Sequence, residues 1–330
     1  MKRGFLFPIV LALLAVVALL VLFPPPAGGP DTPTPTPTVT ETQAPTPPPE
    51  TAPPPTEPLP TPDQAALESP YVFVYNSGTE TMYYTYGGAN TRIAPASLTK
   101  LLTALVALEV LDADQVVTVG DEVKLIDPYS SVAYISKGQK LRVDMLIEGL
   151  LLQSGNDAAY TLAAAAGREL ANNPKLSAEG AVRRFVEYMN RRALEMGLVN
   201  THYENPDGID GEDHYTCIED LITVSVLAME NPTIRKYVGK DKEFVTYQSG
   251  ETITWSNTNY LLHKNHKFYC PDAVGLKTGT TTKAGNCLIS VFPKDGGYLV
   301  IGVLGSKSGD GRYKDTLALY NLYKDYKPYN

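Results

Sequence analysis

The chain is poor in cysteine. Cys217, Cys270 and Cys287 are the only three in 330 residues. The odd count leaves a thiol over and admits at most one intrachain disulfide, with Cys270–Cys287 as the candidate pair, so a disulfide-built scaffold is excluded. Positive charge is short as well. The 28 Lys and Arg against 36 Asp and Glu give a formal charge of −8, the wrong sign for a surface that gathers nucleic acid. Histidine is limited to four residues. The most metal-like grouping, His263, His266 and Cys270, has no evident fourth ligand, and Lys264 and Lys267 beside it oppose a cation. His202 and His214 flank the turn Asn205–Gly208 and read as structural. There is no Gly-x-Ser-x-Gly, which removes the nucleophile elbow of the α/β-hydrolases, and there is no internal repeat. Neither a metal nor a cofactor is expected.

The first 67 residues do not read as globular. Lys2 and Arg3 precede an uncharged apolar run, Gly4–Phe23, that ends at three prolines. A basic start before an apolar core is an export signal, and a run of this length also suits a membrane-spanning helix. Residues 1–23 are therefore expected to be a signal peptide or an uncleaved anchor, with Lys2 and Arg3 inside and the rest outside the cytoplasm. The exit lacks a clean small-residue cleavage site, which favours the anchor. Residues 24–67 are rich in Pro and Thr and hold too little apolar surface to fold. Extended as polyproline at about 3 Å per residue, they would reach on the order of 100 Å.

From 68 to 330 the pattern is that of a packed domain. Two runs around the Ser77-Gly78 turn, 71–76 and 81–86, read as strands. Apolar residues at helical spacing predict helices over 98–111, 143–152, 158–169, 181–196, 217–229 and 313–326. Residues 120–143 look irregular, with room for one short strand. Further strands are expected near 252–255, 273–278, 286–292 and 298–304, the last three as an antiparallel meander. Strands at both ends with helices between them predict an α+β domain with a mainly antiparallel sheet.

Three short motifs carry possible chemistry. Ser97 precedes Lys100 by one helical turn, which puts both on one face. A serine hydroxyl needs such a base to become a nucleophile, although Ser is also a favoured helix cap. Ser154-Gly155-Asn156 sits in a break between two helices, where a hydroxyl and an amide can relay a proton and hold a peptide, or simply make a turn. Lys277-Thr278-Gly279 ends an apolar run. An ammonium and a hydroxyl there suit a carboxylate, or a solvated strand end, and the glycine lets another backbone approach. Lys307-Ser308-Gly309 copies the last pattern but lies among turn residues and reads as a loop.

In this order, Ser-x-x-Lys, Ser-x-Asn and Lys-Thr-Gly form the motif set of penicillin-binding proteins and serine β-lactamases. The stretches SLTKLLTALVALE, LLLQSGNDAAYTLA, MNRRALEMGLVNTHYENPDGID and GLKTGTTTKAGNCLIS resemble the serine D-alanyl-D-alanine carboxypeptidases, the low-molecular-mass penicillin-binding proteins. The resemblance implies a β-lactamase/transpeptidase-like fold, with helices on both faces of the sheet and a helical subdomain carrying the Ser-x-Asn loop. It implies that Ser97 is acylated, with Lys100 as base and Ser154 and Asn156 in the proton relay and substrate grip. Lys277, Thr278, Gly279 and Thr280 would line the substrate, and the N–H groups of Ser97 and Thr280 would form the oxyanion hole. It implies as partners a peptidoglycan stem peptide ending in D-Ala-D-Ala and β-lactams as covalent inhibitors, in the cell envelope.

Two departures stand out. Many relatives have a basic residue where this chain has Thr258, between Asn257 and Asn259, so carboxylate binding is expected to rest more on Lys277, Thr278 and Thr280, or on nearby Lys264 or Lys267. Many also carry a C-terminal β-rich domain with a membrane helix, a tether that the N-terminal segment is expected to replace here. A β-lactamase would add a glutamate about where Arg192 and Glu195 fall. That enzyme, a D,D-endopeptidase and a non-catalytic wall-binding module are the alternatives.

Overall fold

The computed structural model describes residues 58–327 apart from position 248. The apolar run, residues 24–57 of the spacer and 328–330 lie outside the described residues. The fold is engaged before the start expected at residue 68, because the Tyr323 hydroxyl donates to the Pro60 carbonyl at 2.6 Å.

In chain order the elements are β1 (Tyr71–Asn76), β2 (Thr81–Tyr86), α1 (Thr99–Val110), β3 (Val116–Thr118), β4 (Lys140–Arg142), α2 (Val143–Leu152), α3 (Asn156–Leu170) and α4 (Ala178–Glu195). There follow α5 (Ile218–Glu230), α6 (Pro232–Val238), β5 (Lys242–Thr246), β6 (Thr252–Ser256), β7 (Leu276–Thr281), β8 (Gly285–Lys294), β9 (Gly297–Ser306) and α7 (Gly311–Tyr323). Five strands form one antiparallel sheet in the order β2-β1-β9-β8-β7.

The apolar runs of β1, β8 and β9 are continuous because both sheet faces are covered. Successive side chains enter different cores. Phe73, Ile289, Val291 and Val300 join the helical core with α1 and α5, while Val72, Val74, Leu288, Phe292 and Ile301 join a second core under α7. Helices thus cover both faces, as the resemblance implied. Around the first core α2, α3 and α4 pack together, almost wholly apolar on their inner faces. The Ser-x-Asn turn joins α2 to α3.

Several expectations need correction. All three cysteines are free and buried, so Cys270–Cys287 does not form. The strand expected at 273–278 runs instead from 276 to 281. Val274 still bonds the Val291 carbonyl, but the regular ladder begins only after Gly275. The hairpin β5–β6 and the short helix α6 were not legible as such. β5 buries only Val245, so its sequence lacks an apolar alternation.

Candidate active site

Ser97 does not cap α1. It lies inside a 3₁₀ turn, Ala96–Leu98, and neither that turn nor α1 has a side-chain cap at its start. Its hydroxyl instead accepts a hydrogen bond from Lys100 Nζ at 2.9 Å. Lys100 is fully buried and donates a second bond to the Asp207 main-chain carbonyl at 2.6 Å. Burial pulls its ammonium down to about 8, with Asp207 and Asp157 resisting. A lysine near 8 is a usable base close to neutrality.

Opposite stands Ser154, the last residue before Gly155 and α3. It is a non-glycine residue at φ +58°, a sparsely populated conformation that persists only where the surroundings impose it. Its hydroxyl accepts from Lys277 Nζ at 3.0 Å, and Lys277 also bonds the Thr278 carbonyl at 3.0 Å. Burial, then Lys100 and Arg312, hold the Lys277 pKa well below the ordinary lysine value. Asn156 opens α3, is buried, and ties its N–H to the Ser131 carbonyl at 2.8 Å. The next residue, Asp157, fixes the loop in front. Its carboxylate accepts from the N–H groups of Ala133 and Ile135, both at 2.8 Å, and from that of Ala158 at 2.9 Å.

Lys277, Thr278, Gly279 and Thr280 lie on β7, the sheet edge. A Cβ built at Gly279 would sit 3.0 Å from the Ser97 nitrogen and 3.0 Å from Ala96 Cβ. Glycine therefore lets the strand backbone lie directly against the Ser97 amide. The same strand carries Lys277, whose charge lies near enough to Lys100 for the two to interact.

Sequence reasoning missed a basic residue. Arg312, at the start of α7, reaches back to β7. Its Nη1 donates to Thr280 Oγ1 at 3.1 Å and to the carbonyls of Gly279 and Cys287, both at 3.4 Å. Its Nε is buried without a partner. No local signal marks it, because it follows Gly279 by a whole hairpin and only the fold brings it back. The alternatives do not reach the site in this way. Lys267 pairs with Asp310 at the surface, and Lys264 is exposed. Asn257 holds the Val238 and Lys240 carbonyls, while the Thr258 hydroxyl bonds that of Thr278.

The other candidates fall elsewhere. Arg192 binds Glu109 and pairs with Glu195 on the outer face of α4, so this stretch offers no water-activating glutamate. His263 Nε2 bonds the Asn257 carbonyl and His266 stacks on Tyr260. Among the described residues no three His, Cys, Asp or Glu side chains come together in a metal-like group. Lys307-Ser308-Gly309 is a loop after β9, where Ser308 Oγ accepts from the Gly311 N–H.

The family model described as D-alanyl-D-alanine carboxypeptidase matches residues 61–308. The D-alanyl-D-alanine carboxypeptidase of Streptomyces sp. (strain K15) is 36% identical over 262 residues, covering 76% of this chain and 84% of that protein. D-alanyl-D-alanine carboxypeptidase DacF of Bacillus subtilis (strain 168) is 29% identical over 224 residues, 67% of this chain and 53% of that protein. This chain thus spans about half the length of that relative. Among solved structures, the Streptomyces K15 DD-transpeptidase superposes with a TM-score of 0.68 at 31% identity, covering 78% of this chain and 97% of that one.

Proposed function

The chain belongs to the D-alanyl-D-alanine carboxypeptidase family, and on that footing we propose that it removes the terminal D-Ala from peptidoglycan stem pentapeptides through an acyl-enzyme on Ser97. The observation that carries this reading is the 2.9 Å bond from Lys100 Nζ to Ser97 Oγ, with Lys100 buried and its ammonium pulled down to about 8. Neutral Lys100 takes the hydroxyl proton as Ser97 Oγ attacks the penultimate carbonyl. The N–H groups of Ser97 and Thr280 receive the developing oxyanion, and Asn156 holds the substrate amide. The D-Ala amine leaves with a proton passed through Ser154, whose hydroxyl is held by Lys277. Water then hydrolyses the ester, and the proton returns along the same groups.

The substrate carboxylate falls to Thr278, Thr280 and Arg312. A guanidinium stays charged where a buried lysine does not, and Arg312 has a donor to spare. Penicillins carry a carboxylate and a strained amide, so the same site takes them as covalent inhibitors. We further place the enzyme outside the cytoplasm in the cell envelope, held to the membrane by its N-terminal apolar run.

The test is the intact mass of the full-length protein after benzylpenicillin, for wild type and Ser97→Ala, followed by D-Ala release from a pentapeptide. A gain of one penicilloyl group, absent in the variant, is expected. No adduct with the penicillin intact points to a wall-binding module, and no adduct with it hydrolysed points to a β-lactamase. The solved Streptomyces relative is titled a DD-transpeptidase. Adding an acceptor amine to the D-Ala assay separates transfer from hydrolysis.

A further inference from the structure

The turn that receives Lys100 contains more than the carbonyl it uses. Asn205–Gly208 is pinned on three sides. Asn205 Oδ1 accepts from the Gly208 N–H at 2.7 Å, and Thr103 Oγ1 donates to the Pro206 carbonyl at 2.7 Å. Gly208 lies so close to the Ala96 carbonyl that a Cβ would sit 1.9 Å from that oxygen. Within this turn Asp207 is 1% exposed. Its Oδ1 accepts from the Ile209 N–H at 3.2 Å, whereas Oδ2 is buried with no hydrogen-bond partner. The bond to Ile209 would be made as well by Asn or Ser. What the acid adds is a charge: burial raises the Asp207 pKa, and Lys100 is the cation that opposes the rise and offsets the cost of a carboxylate with one oxygen unsatisfied.

We propose that the Asp207 carboxylate is a positioning residue acting through Lys100: it is the counter-charge to that ammonium and so sets the acid edge of Ser97 acylation. The inference rests on the acyl-serine reading above. The charged and titratable groups around Lys100 are Ser97 on the 3₁₀ turn, Asp157 on α3, Lys277 on β7, Asp207 on its loop, and His214 behind Thr99. Around Asp207 they are Lys100, Asp127 from the loop before β4, and Tyr160 from α3. Of the two acids that favour a charged Lys100, Asp157 spends both oxygens on backbone N–H groups. Asp207 has an oxygen left and, through its own carbonyl, holds the same ammonium. Burial makes the Lys100 amine easier to deprotonate, and Asp207 opposes it. Taking away the carboxylate leaves burial unopposed, so the free amine is reached at lower pH.

The experiment measures the second-order rate constant for acylation of the full-length chain by benzylpenicillin between pH 5 and pH 10. Wild type is compared with Asp207→Asn and Asp207→Glu, and the melting temperature of each is recorded. The acid edge is expected to fall by about one pH unit in Asp207→Asn, the usual size for losing one close opposite charge, and to stay near wild type in Asp207→Glu. Should the Asn variant melt early, Asp207→Ser keeps an acceptor for the Ile209 N–H and carries the same expectation. An edge that does not move while the rate drops at every pH overturns the proposal and leaves Asp207 a turn residue. An upward move overturns it too. A wild-type chain that takes no penicilloyl group overturns the acyl-serine reading, and this inference with it.

Discussion

At the scale of single residues the site divides its cations by how permanent their charge is. Lys100 and Lys277 are buried and burial lowers the pKa of both, whereas Arg312 carries a guanidinium, a group that proteins do not deprotonate. The division has a pH consequence whose sign is fixed. A general base must be unprotonated, so Ser97 acylation should climb as pH rises through about 8, where burial has set Lys100. Lys100→Met should cut acylation by roughly 10² to 10⁴-fold and flatten that rise. A stopped-flow profile with benzylpenicillin checks both. An edge near 10, the ordinary lysine range, would exclude Lys100 in the buried state described. Arg312→Gln removes charge without removing the helix that carries it. A lost charge-assisted hydrogen bond is worth about 1.5–3 kcal/mol, so KM for the pentapeptide should rise about 10- to 100-fold. A pentapeptide amide, lacking the terminal carboxylate, should then be handled alike by variant and wild type.

At the scale of elements, two glycines and one histidine hold the 3₁₀ turn of Ser97 between its neighbours. Gly279→Ala would press a methyl 3.0 Å from the Ser97 amide nitrogen, tighter than side chains normally pack. It should abolish acylation while leaving the melting temperature within a few degrees. Gly208→Ala combines φ +90° with the clash on Ala96, so it should cost stability as well as activity. His214 locks the same region. Its Nδ1 accepts from the Glu204 N–H at 3.2 Å, which puts the ring proton on Nε2, donated to Thr99 Oγ1 at 2.9 Å. Burial lowers its pKa to about 4, against 6.5 when unfolded. Above pH 6.5 both states are neutral and the full stability is present. Between 6.5 and 4 the unfolded chain takes up a proton that the native ring refuses, so stability falls by up to about 3 kcal/mol. Denaturant midpoints of wild type and His214→Asn across that window should converge as pH drops. These elements also show what the sequence could reveal. The helices and the meander were legible because their apolar spacing is periodic. The motifs that hold Ser97, Lys100, Ser154 and Lys277 were visible because each is local, and the fold brings Lys100 to Ser97 and Lys277 to Ser154. Asp207 and Arg312 were not, since their meaning depends on contacts with Lys100 and Thr280 made only after folding. Ser97 as a helix cap was the wrong reading for the same reason. Its hydroxyl is taken by a side chain, not by the helix backbone.

At the scale of the whole molecule the question is how the domain is held to its substrate. The proposed substrate, peptidoglycan, is an immobile polymer, and an enzyme acting on it would gain from being tethered at the right distance. Among the described residues no helix is long and apolar enough to cross a membrane, and the α7 face is occupied by the second core. The proposed tether is Gly4–Phe23, an apolar run of suitable length. If the run is an uncleaved anchor, the full-length protein stays with the membrane pellet through high-salt and alkaline washes, because apolar insertion is not screened by ions as surface charge is. Its mass after detergent extraction still includes residues 1–25, and a chain beginning at residue 26 leaves the pellet. Release by salt, with a mature N-terminus beyond residue 25, would instead make the run a cleaved export signal. The acyl-serine chemistry is indifferent to that result. D-Ala release from a soluble pentapeptide should be equal for the anchored and the shortened chain, and only release from intact wall should depend on the tether.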